Sequence, residues 1–221
     1  MALRNIMLDG EPILKKKCRP VTKFDARLAQ LLDDMKETMM DASGLGLAAP
    51  QVGIMRRAFV VVEEDSLPPL AQDDDAEAPG NETAADTANA ADDKAEAAIP
   101  EPVFVEFINP EVIETEDEVL GYEGCLSFPG KYAAIKRPTR AVVRAQDRNG
   151  EAFTYEAHGL MARCVCHETN HLDGITIDDL AEFFYDPENP RYMGEDDTEG
   201  EADEAGAGTE KAAGDAAPEE T

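Results

Sequence analysis

Basic residues, histidines and long apolar runs are all scarce in this sequence. Its 20 lysines and arginines stand against 48 aspartates and glutamates, and the formal net charge is -28. Because proteins bind phosphates mainly through lysine and arginine, this balance disfavours direct nucleic-acid binding. No apolar run approaches the roughly 20 residues that span a bilayer, so we also expect no membrane partner.

The amino-terminal residues 1–6 lack the apolar core of a secretory signal peptide. We therefore expect a cytoplasmic location. In that compartment cysteines are expected to be reduced, and so to be available as ligands rather than paired in disulfides. The chain has four of them, Cys18, Cys125, Cys164 and Cys166.

Two stretches hold most of the acidic residues. Residues 63–101 contain 13 acidic residues and one lysine, and residues 195–221 contain 11 acidic residues and one lysine. Both stretches have too few large apolar residues to offset the entropy of ordering the chain. The sequence thus predicts one discontinuous domain, residues 1–62 and 102–194, with an acidic disordered insertion and an acidic disordered tail.

Residues 167–171 read His-Glu-Thr-Asn-His and carry two of the three histidines of the chain. On a helix, both imidazoles lie on one face with Glu168 beside them, the pattern of a divalent metal site with an adjacent base. Leu160 and Cys164 share the helical spacing of that face, and Gly174 is a natural end. The alternative is a surface helix whose histidines bind no metal. Imidazoles on a buried face need a partner, however, and a metal ion is one.

The other periodic segments predict an α+β fold. A leucine and methionine stripe indicates a helix over residues 22–40, with Thr22 and Asp25 spaced as a capping box. Strands are predicted at 58–62, 103–108, 141–145 and 152–156, then a metal-binding helix at 159–173 and a short strand at 175–177. Grouped strands before a late helix favour a single compact domain of antiparallel β-strands around this central helix, with an N-terminal helix.

A catalytic metal usually has three protein ligands and one open position. In one large peptidase class a third histidine would stand at position 177, which is Ile177 here and cannot bind a metal. Glu182 and Glu188 lie in a short, proline-interrupted stretch, and His158 reads as a surface or core histidine. Cys125 is the better candidate, because glycines and a proline around it fix a non-helical backbone.

Three motifs, in this order, resemble those of the peptide deformylase family. They are Gly-Leu-Gly-Leu-Ala-Ala-Pro-Gln at 44–51, Glu-Gly-Cys-Leu-Ser at 123–127 and His-Glu-Thr-Asn-His-Leu-Asp-Gly at 167–174. Phe-Ile-Asn-Pro at 107–110 also matches. Cys166 and Asn170 depart from the usual glutamine and aspartate. Neither is expected to be a ligand or the base, so these departures concern the surroundings of the metal.

The resemblance implies a metal-dependent hydrolase that removes the N-formyl group from the formyl-methionine of newly synthesised proteins and releases formate. Its metal ligands would be Cys125, His167 and His171, its base Glu168, its oxyanion donors Gln51 and the Leu126 backbone, and its peptide-binding backbone Leu45, Gly46 and Gly124. The implied cofactor is one Fe²⁺ ion, with zinc, nickel or cobalt as possible substitutes. The implied partners are formyl-methionyl nascent polypeptides near the ribosome, with no docking mode given by the acidic carboxyl-terminal segment.

Two other functions remain open from the sequence. A metallopeptidase with the same helix motif would cleave a peptide bond instead of releasing formate. A catalytically inactive relative would keep the fold and bind partners through its acidic segments. The product of the reaction, or its absence when iron is restored, distinguishes these functions.

Overall fold

A computed structural model describes residues 2–63, 66 and 101–185 of the protein. The chain divides into two units, Met1–Arg191 and Tyr192–Thr221, and every described residue lies in the first. The predicted acidic tail, and nearly all of the predicted acidic insertion, lie outside the described residues. Their disorder therefore stays a prediction.

The described residues form one antiparallel sheet and three helices. In chain order the elements are α1 (Ala26–Asp41), β1 (Gly46–Ala48), a 3-10 turn (Ala49–Val52), β2 (Ala58–Val62), β3 (Phe104–Gly124), β4 (Tyr132–Gln146), β5 (Ala152–His158), α2 (Gly159–Asp173), α3 (Ile177–Leu180) and β6 (Phe183–Phe184). The sheet order is β1-β2-β3-β4-β5, and β6 pairs with β4. All of these pairs are antiparallel. The predicted α+β class is confirmed.

Helix α1 begins at Ala26, later than the predicted start at residue 22. The side chain of Asp25 accepts hydrogen bonds from the backbone of Arg27 and Leu28, at 3.0 and 3.1 Å. Asp25 is therefore the N-cap, and the predicted capping box starting at Thr22 is wrong because this carboxylate already satisfies the free backbone donors. The stripe itself is buried as predicted, at Leu28, Leu31, Leu32, Met35 and Met39.

Strands β2 and β3 pair directly and flank the predicted insertion. Val62 is the register partner of Phe104, and the backbone N–H of Glu63 donates to the carbonyl of Val103 at 2.8 Å. The two points where the insertion leaves and rejoins the sheet are therefore adjacent. Closing a loop between adjacent ends costs little more entropy as the loop lengthens, so the fold tolerates the inserted residues here.

Strand β3 is longer than predicted and does not turn at Asn109 and Pro110. The backbone of Asn109 is left-handed, with φ 50°, and the register shifts there between Ile108 and Glu111. The Asn109 side chain accepts from the N–H of Val21 at 2.8 Å and donates to its carbonyl at 2.9 Å. Asn109 and Pro110, a pair typical of turns, thus form a bulge inside a strand, held by side-chain hydrogen bonds.

Helix α2 has the predicted bounds and packs against β1, β2, β4 and β5. Gly174 ends it in a left-handed conformation, φ 77°, and a Cβ there would lie 2.8 Å from the backbone of Lys15, so only glycine fits. Leu160 is 43% exposed, so its predicted place on the buried face is wrong. The predicted strand at 175–177 is also wrong, because Thr176 instead caps the short helix α3.

None of the helices in the part of the chain described above is long and apolar enough to cross a membrane.

Candidate metal centre

Helix α2 and the loop after β3 bring three predicted ligands together. The Sγ atom of Cys125 lies 3.3 Å from Nε2 of His171, and the Nε2 atoms of His171 and His167 are 3.2 Å apart. All three donor atoms lie within 4.8 Å of one another. Both histidines are buried and Cys125 is partly buried.

The separations of 3.2 and 3.3 Å are those of neighbouring ligands around a single divalent ion. Metal–nitrogen and metal–sulfur bonds of about 2.0 to 2.3 Å in a tetrahedral site place neighbouring ligand atoms roughly 3.3 to 3.6 Å apart. A thiolate with two imidazoles suits zinc, iron, cobalt or nickel better than calcium or magnesium, which take oxygen ligands. The donor set therefore fits a transition-metal ion.

Gln51 is buried beside Cys125 and its amide has a fixed orientation. Its carbonyl oxygen accepts from the N–H of Ala48 at 2.8 Å. Its Nε2 consequently donates toward the Oγ of Ser127 at 3.2 Å and the Sγ of Cys125 at 3.6 Å. The amide hydrogens thus point at the centre, where developing negative charge can be stabilised.

A buried carboxylate orients His167. Oε2 of Glu123 lies 2.9 Å from Nδ1 of His167, which directs the Nε2 lone pair toward the other two predicted ligands. Arg137 forms two hydrogen bonds to the same carboxylate, at 2.7 and 2.9 Å. Burial raises the pKa of Glu123, but the hydrogen bonds from Arg137 and His167 outweigh burial and lower it to about 2.

The two departures from the family pattern have different surroundings. Asn170 accepts a hydrogen bond from the Nη1 of Arg137 through its amide oxygen, so it belongs to the network behind His167. Cys166 is buried, and burial raises the pKa of its thiol. It is therefore a neutral, packed side chain rather than a further thiolate.

Glu168 lies on the cavity side of α2 and is 3% exposed. Burial raises its pKa to about 7, a value suited to a group that takes up and releases a proton near neutral pH. Gly46 faces it closely, since a Cβ on Gly46 would lie 2.5 Å from the Oε1 of Glu168 and 2.9 Å from the Sγ of Cys164. Only a glycine leaves room for this carboxylate.

An open cavity of about 520 Å³ borders the centre. Eight of the nine predicted site residues line it, namely Leu45, Gly46, Gln51, Gly124, Cys125, Leu126, His167 and Glu168. His171 lies behind this surface and is 1% exposed. Burial lowers its pKa, so the ring is neutral and able to act as a ligand. Strand β1, which carries Gly46, is the edge strand of the sheet beside the cavity.

The sequence motifs do not indicate the contacts of Arg137 and Arg163 with Glu123. These arginines lie 14 and 40 residues away from that carboxylate in the chain. Arg137 is one of four basic residues in β4, and nothing in the sequence sets it apart from the others. Arg163 is one helical turn before His167 and carries no signal of its own.

The centre has the features of a metal-dependent hydrolase, namely a three-ligand cluster and a buried carboxylate at an open cavity. Comparison with known families agrees with this class. The model of the polypeptide deformylase family matches residues 3–183 of the chain, and the chain belongs to that family. The protein is therefore an enzyme of the hydrolase class, and the predicted resemblance is confirmed.

Individual relatives support the same assignment. The peptide deformylase of Caldicellulosiruptor bescii is 44% identical over 179 residues, which cover 81% of this chain and 86% of the relative. That of Acetivibrio thermocellus is 40% identical over 186 residues, covering 84% and 88%.

Solved structures have the same fold. The crystal structure of the peptide deformylase from Thermotoga maritima aligns with a TM-score of 0.62 and 35% identity, covering 82% of this chain and 99% of that one. A Met-Ala-Ser-bound class I type b peptide deformylase from Acinetobacter baumannii aligns with a TM-score of 0.62 and 28% identity, covering 81% and 98%.

Proposed function

We propose that this protein removes the N-formyl group from the formyl-methionine of newly synthesised polypeptides and releases formate. The observation that carries the proposal is the Cys125, His167 and His171 cluster, with Glu168 beside it, at a cavity bordered by an edge strand. The cluster supplies the metal site, the carboxylate supplies a base, and the edge strand supplies a place for a peptide.

Cys125, His167 and His171 would hold one divalent ion, which we propose to be Fe²⁺, with zinc, nickel or cobalt as substitutes. The Fe²⁺ assignment follows from the family resemblance, because the ligand set by itself also accepts zinc. When bound, the ion supplies Lewis acidity that lowers the pKa of a water molecule and polarises the formyl carbonyl. Glu123 holds His167 in the orientation that ligation needs.

Glu168 is proposed as the general base and later the general acid. Its carboxylate takes a proton from the attacking water and returns it to the leaving amine of the methionine. Its pKa of about 7, raised by burial, supports both steps at neutral pH. As the formyl C–N bond breaks, the formyl group leaves as formate and the peptide keeps a free amino group.

Gln51 and the backbone N–H of Leu126 are proposed to stabilise the oxygen that becomes negative during attack. The Gln51 amide is already oriented by Ala48, so its donors need little reorganisation during the reaction. Leu126 follows Cys125 directly in a loop closed by the hydrogen bond from the N–H of Phe128 to the Cys125 carbonyl, at 2.8 Å.

The peptide is proposed to bind in extended form against the backbone of Leu45, Gly46 and Gly124. Backbone hydrogen bonding to an edge strand is independent of sequence, which suits an enzyme that acts on many nascent chains. The methionine side chain would enter the cavity beside His167. The Met-Ala-Ser peptide bound by the Acinetobacter baumannii relative supports this class of ligand.

Nascent formyl-methionyl chains are proposed as the partners, near the ribosome in the cytoplasm. A formal charge of -28 argues against direct binding to ribosomal RNA. We also propose that the catalytic domain consists of residues 1–62 and 102–194.

Product analysis with formyl-Met-Ala-Ser tests the function against both alternatives. We expect formate and intact Met-Ala-Ser. Cleavage of a peptide bond would instead indicate a metallopeptidase. Absence of turnover by folded, iron-loaded protein would indicate an inactive binding relative.

A further inference from the structure

Arg163 crosses from helix α2 to the strands that form the opposite side of the cavity. Its Nη1 donates to the Oε1 of Glu123 at 3.0 Å and to the carbonyls of Gly121 and Ile135 at 3.2 and 3.0 Å. Its Nη2 donates to the carbonyl of Val119 at 3.3 Å. The guanidinium therefore bridges α2 to both β3 and β4.

The guanidinium of Arg163 occupies space that is free because Gly121 has no side chain. A Cβ on Gly121 would lie 2.5 Å from the Cζ of Arg163. Gly121 is thus required for the guanidinium to lie against the β3 backbone, and any larger residue would displace it. The side chain of Arg163 is 13% exposed and that of Glu123 is 3% exposed.

The hydrogen bonds of the guanidinium hold it in one position. Four acceptors hold it, one of them a buried carboxylate, and a charge-assisted hydrogen bond of this kind is stronger than a neutral one. Moving the head aside would leave Glu123 and backbone carbonyls without this donor, which is costly in a buried setting. Arg163 is therefore a rigid part of the cavity lining.

Arg163 lies on the path that we expect for the side chain of the substrate's first residue. Glu168, His167, Cys164 and Arg163 all line the cavity along α2, and Arg163 is about one helical turn, or 5.4 Å, before His167. A substrate side chain that starts beside the predicted ligands and runs along α2 toward its amino-terminal end would therefore reach Arg163.

We propose that Arg163, seated on Gly121, is a specificity-determining residue that limits the length of the first side chain to that of methionine. This assignment rests on the proposed deformylase function. It does not place Arg163 among the groups that touch the reacting atoms. A difference of one methylene in a substrate side chain typically changes selectivity by about 10- to 200-fold.

The test compares formyl-Met-Ala-Ser with the same peptide carrying ethionine, which is one methylene longer. We expect the wild type to prefer methionine by roughly tenfold or more in kcat/KM. Arg163→Ala and Arg163→Met should reduce this preference to about twofold, because both remove the guanidinium and the hydrogen bonds that hold it in place. Arg144→Ala is the matched control, since Arg144 is 61% exposed and pairs with exposed Glu111. It should keep the wild-type preference.

Thermal unfolding tests the contact between Arg163 and Gly121 without any activity measurement. Gly121→Ala should lower the midpoint of thermal unfolding in the wild type by several degrees and change it little in the Arg163→Ala background. Equal loss of kcat/KM for both peptides in the Arg163 variants would overturn the assignment and leave the deformylase function intact. No formate from either peptide with the wild type would overturn the proposed function and this assignment with it.

Discussion

The carboxylate of Glu123 lies 2.9 Å from Nδ1 of His167, and it is also the acceptor for two arginines. Glu123→Gln should therefore weaken metal binding by about 10- to 100-fold, because it removes the charged partner of a proposed ligand. It should also destabilise the fold by about 3 kcal/mol or more, because Arg137, 7% exposed, loses its carboxylate. Metal titration and urea unfolding measure the two effects.

Glu114→Gln is the control for this substitution. Glu114 pairs with Arg140 but is 56% exposed, so its loss should change stability by less than about 1 kcal/mol. Equal effects of the two substitutions would contradict the expected role of Glu123 in orienting His167, the proposed ligand.

Gly46→Ala should impair turnover more than folding. The added Cβ would meet the end of the flexible Glu168 side chain at 2.5 Å, so the carboxylate would move rather than the backbone. Displacing a catalytic group by about 1 Å costs about 100-fold in rate. Measured on one preparation, formate release should therefore fall strongly while the midpoint of thermal unfolding changes little. A variant with wild-type turnover would show that Glu168 does not need its present position.

Glu106 should make stability depend on pH. Burial raises the pKa of this carboxyl, but hydrogen bonds from Arg148 and Lys36 outweigh burial and lower it. A lowered pKa gives stability that is present above the unfolded pKa of about 4.3 and is lost as pH falls through the folded value. Glu106→Gln should accordingly reduce the free energy of unfolding at pH 7, and the difference should shrink in acid.

The exposed residue Glu37 provides the comparison, because it lies on the solvent side of α1. Glu37→Gln should leave the free energy of unfolding nearly unchanged at both pH values. A Glu106→Gln difference that persists undiminished well below pH 4.3 would show that packing, not charge, is the cause.

Replacing residues 67–100 with a short glycine and serine linker should preserve formate release and the folded structure. The flanking positions are already joined by the hydrogen bond from Glu63 to Val103 and by the bond from the N–H of Val103 to the Ser66 hydroxyl, at 2.9 Å. Circular dichroism and kcat/KM provide the measurements. Loss of either property would mean that the catalytic domain includes part of this segment.

The sequence predicts those parts of the molecule that local patterns encode. The bounds of α2 follow from periodic apolar residues and from Gly174, and the metal cluster follows from a helix motif plus one cysteine in a rigid loop. The fold then brings Cys125 to within 3.3 Å of a histidine 46 residues away. The role of each site residue remains a prediction for experiment.

Local patterns fail where distant residues decide the outcome. Strand β3 continues past Asn109 with residues exposed on both faces, so it lacks the alternation that marks a strand. Asn109 looks like a turn residue, yet Val21, 88 residues away, holds it in a bulge. The arginines around Glu123 are likewise invisible in sequence, because they come from a different strand and a helix.

The most direct test of the account is formate release by wild type and Glu168→Gln, purified without oxygen and with metal content determined on the same samples. We expect about one ion per chain in both proteins, rapid release by the wild type, and a loss of at least about 100-fold in the variant. Removal of the metal should abolish release. Wild-type turnover by Glu168→Gln, or release that survives metal removal, would contradict the proposed mechanism.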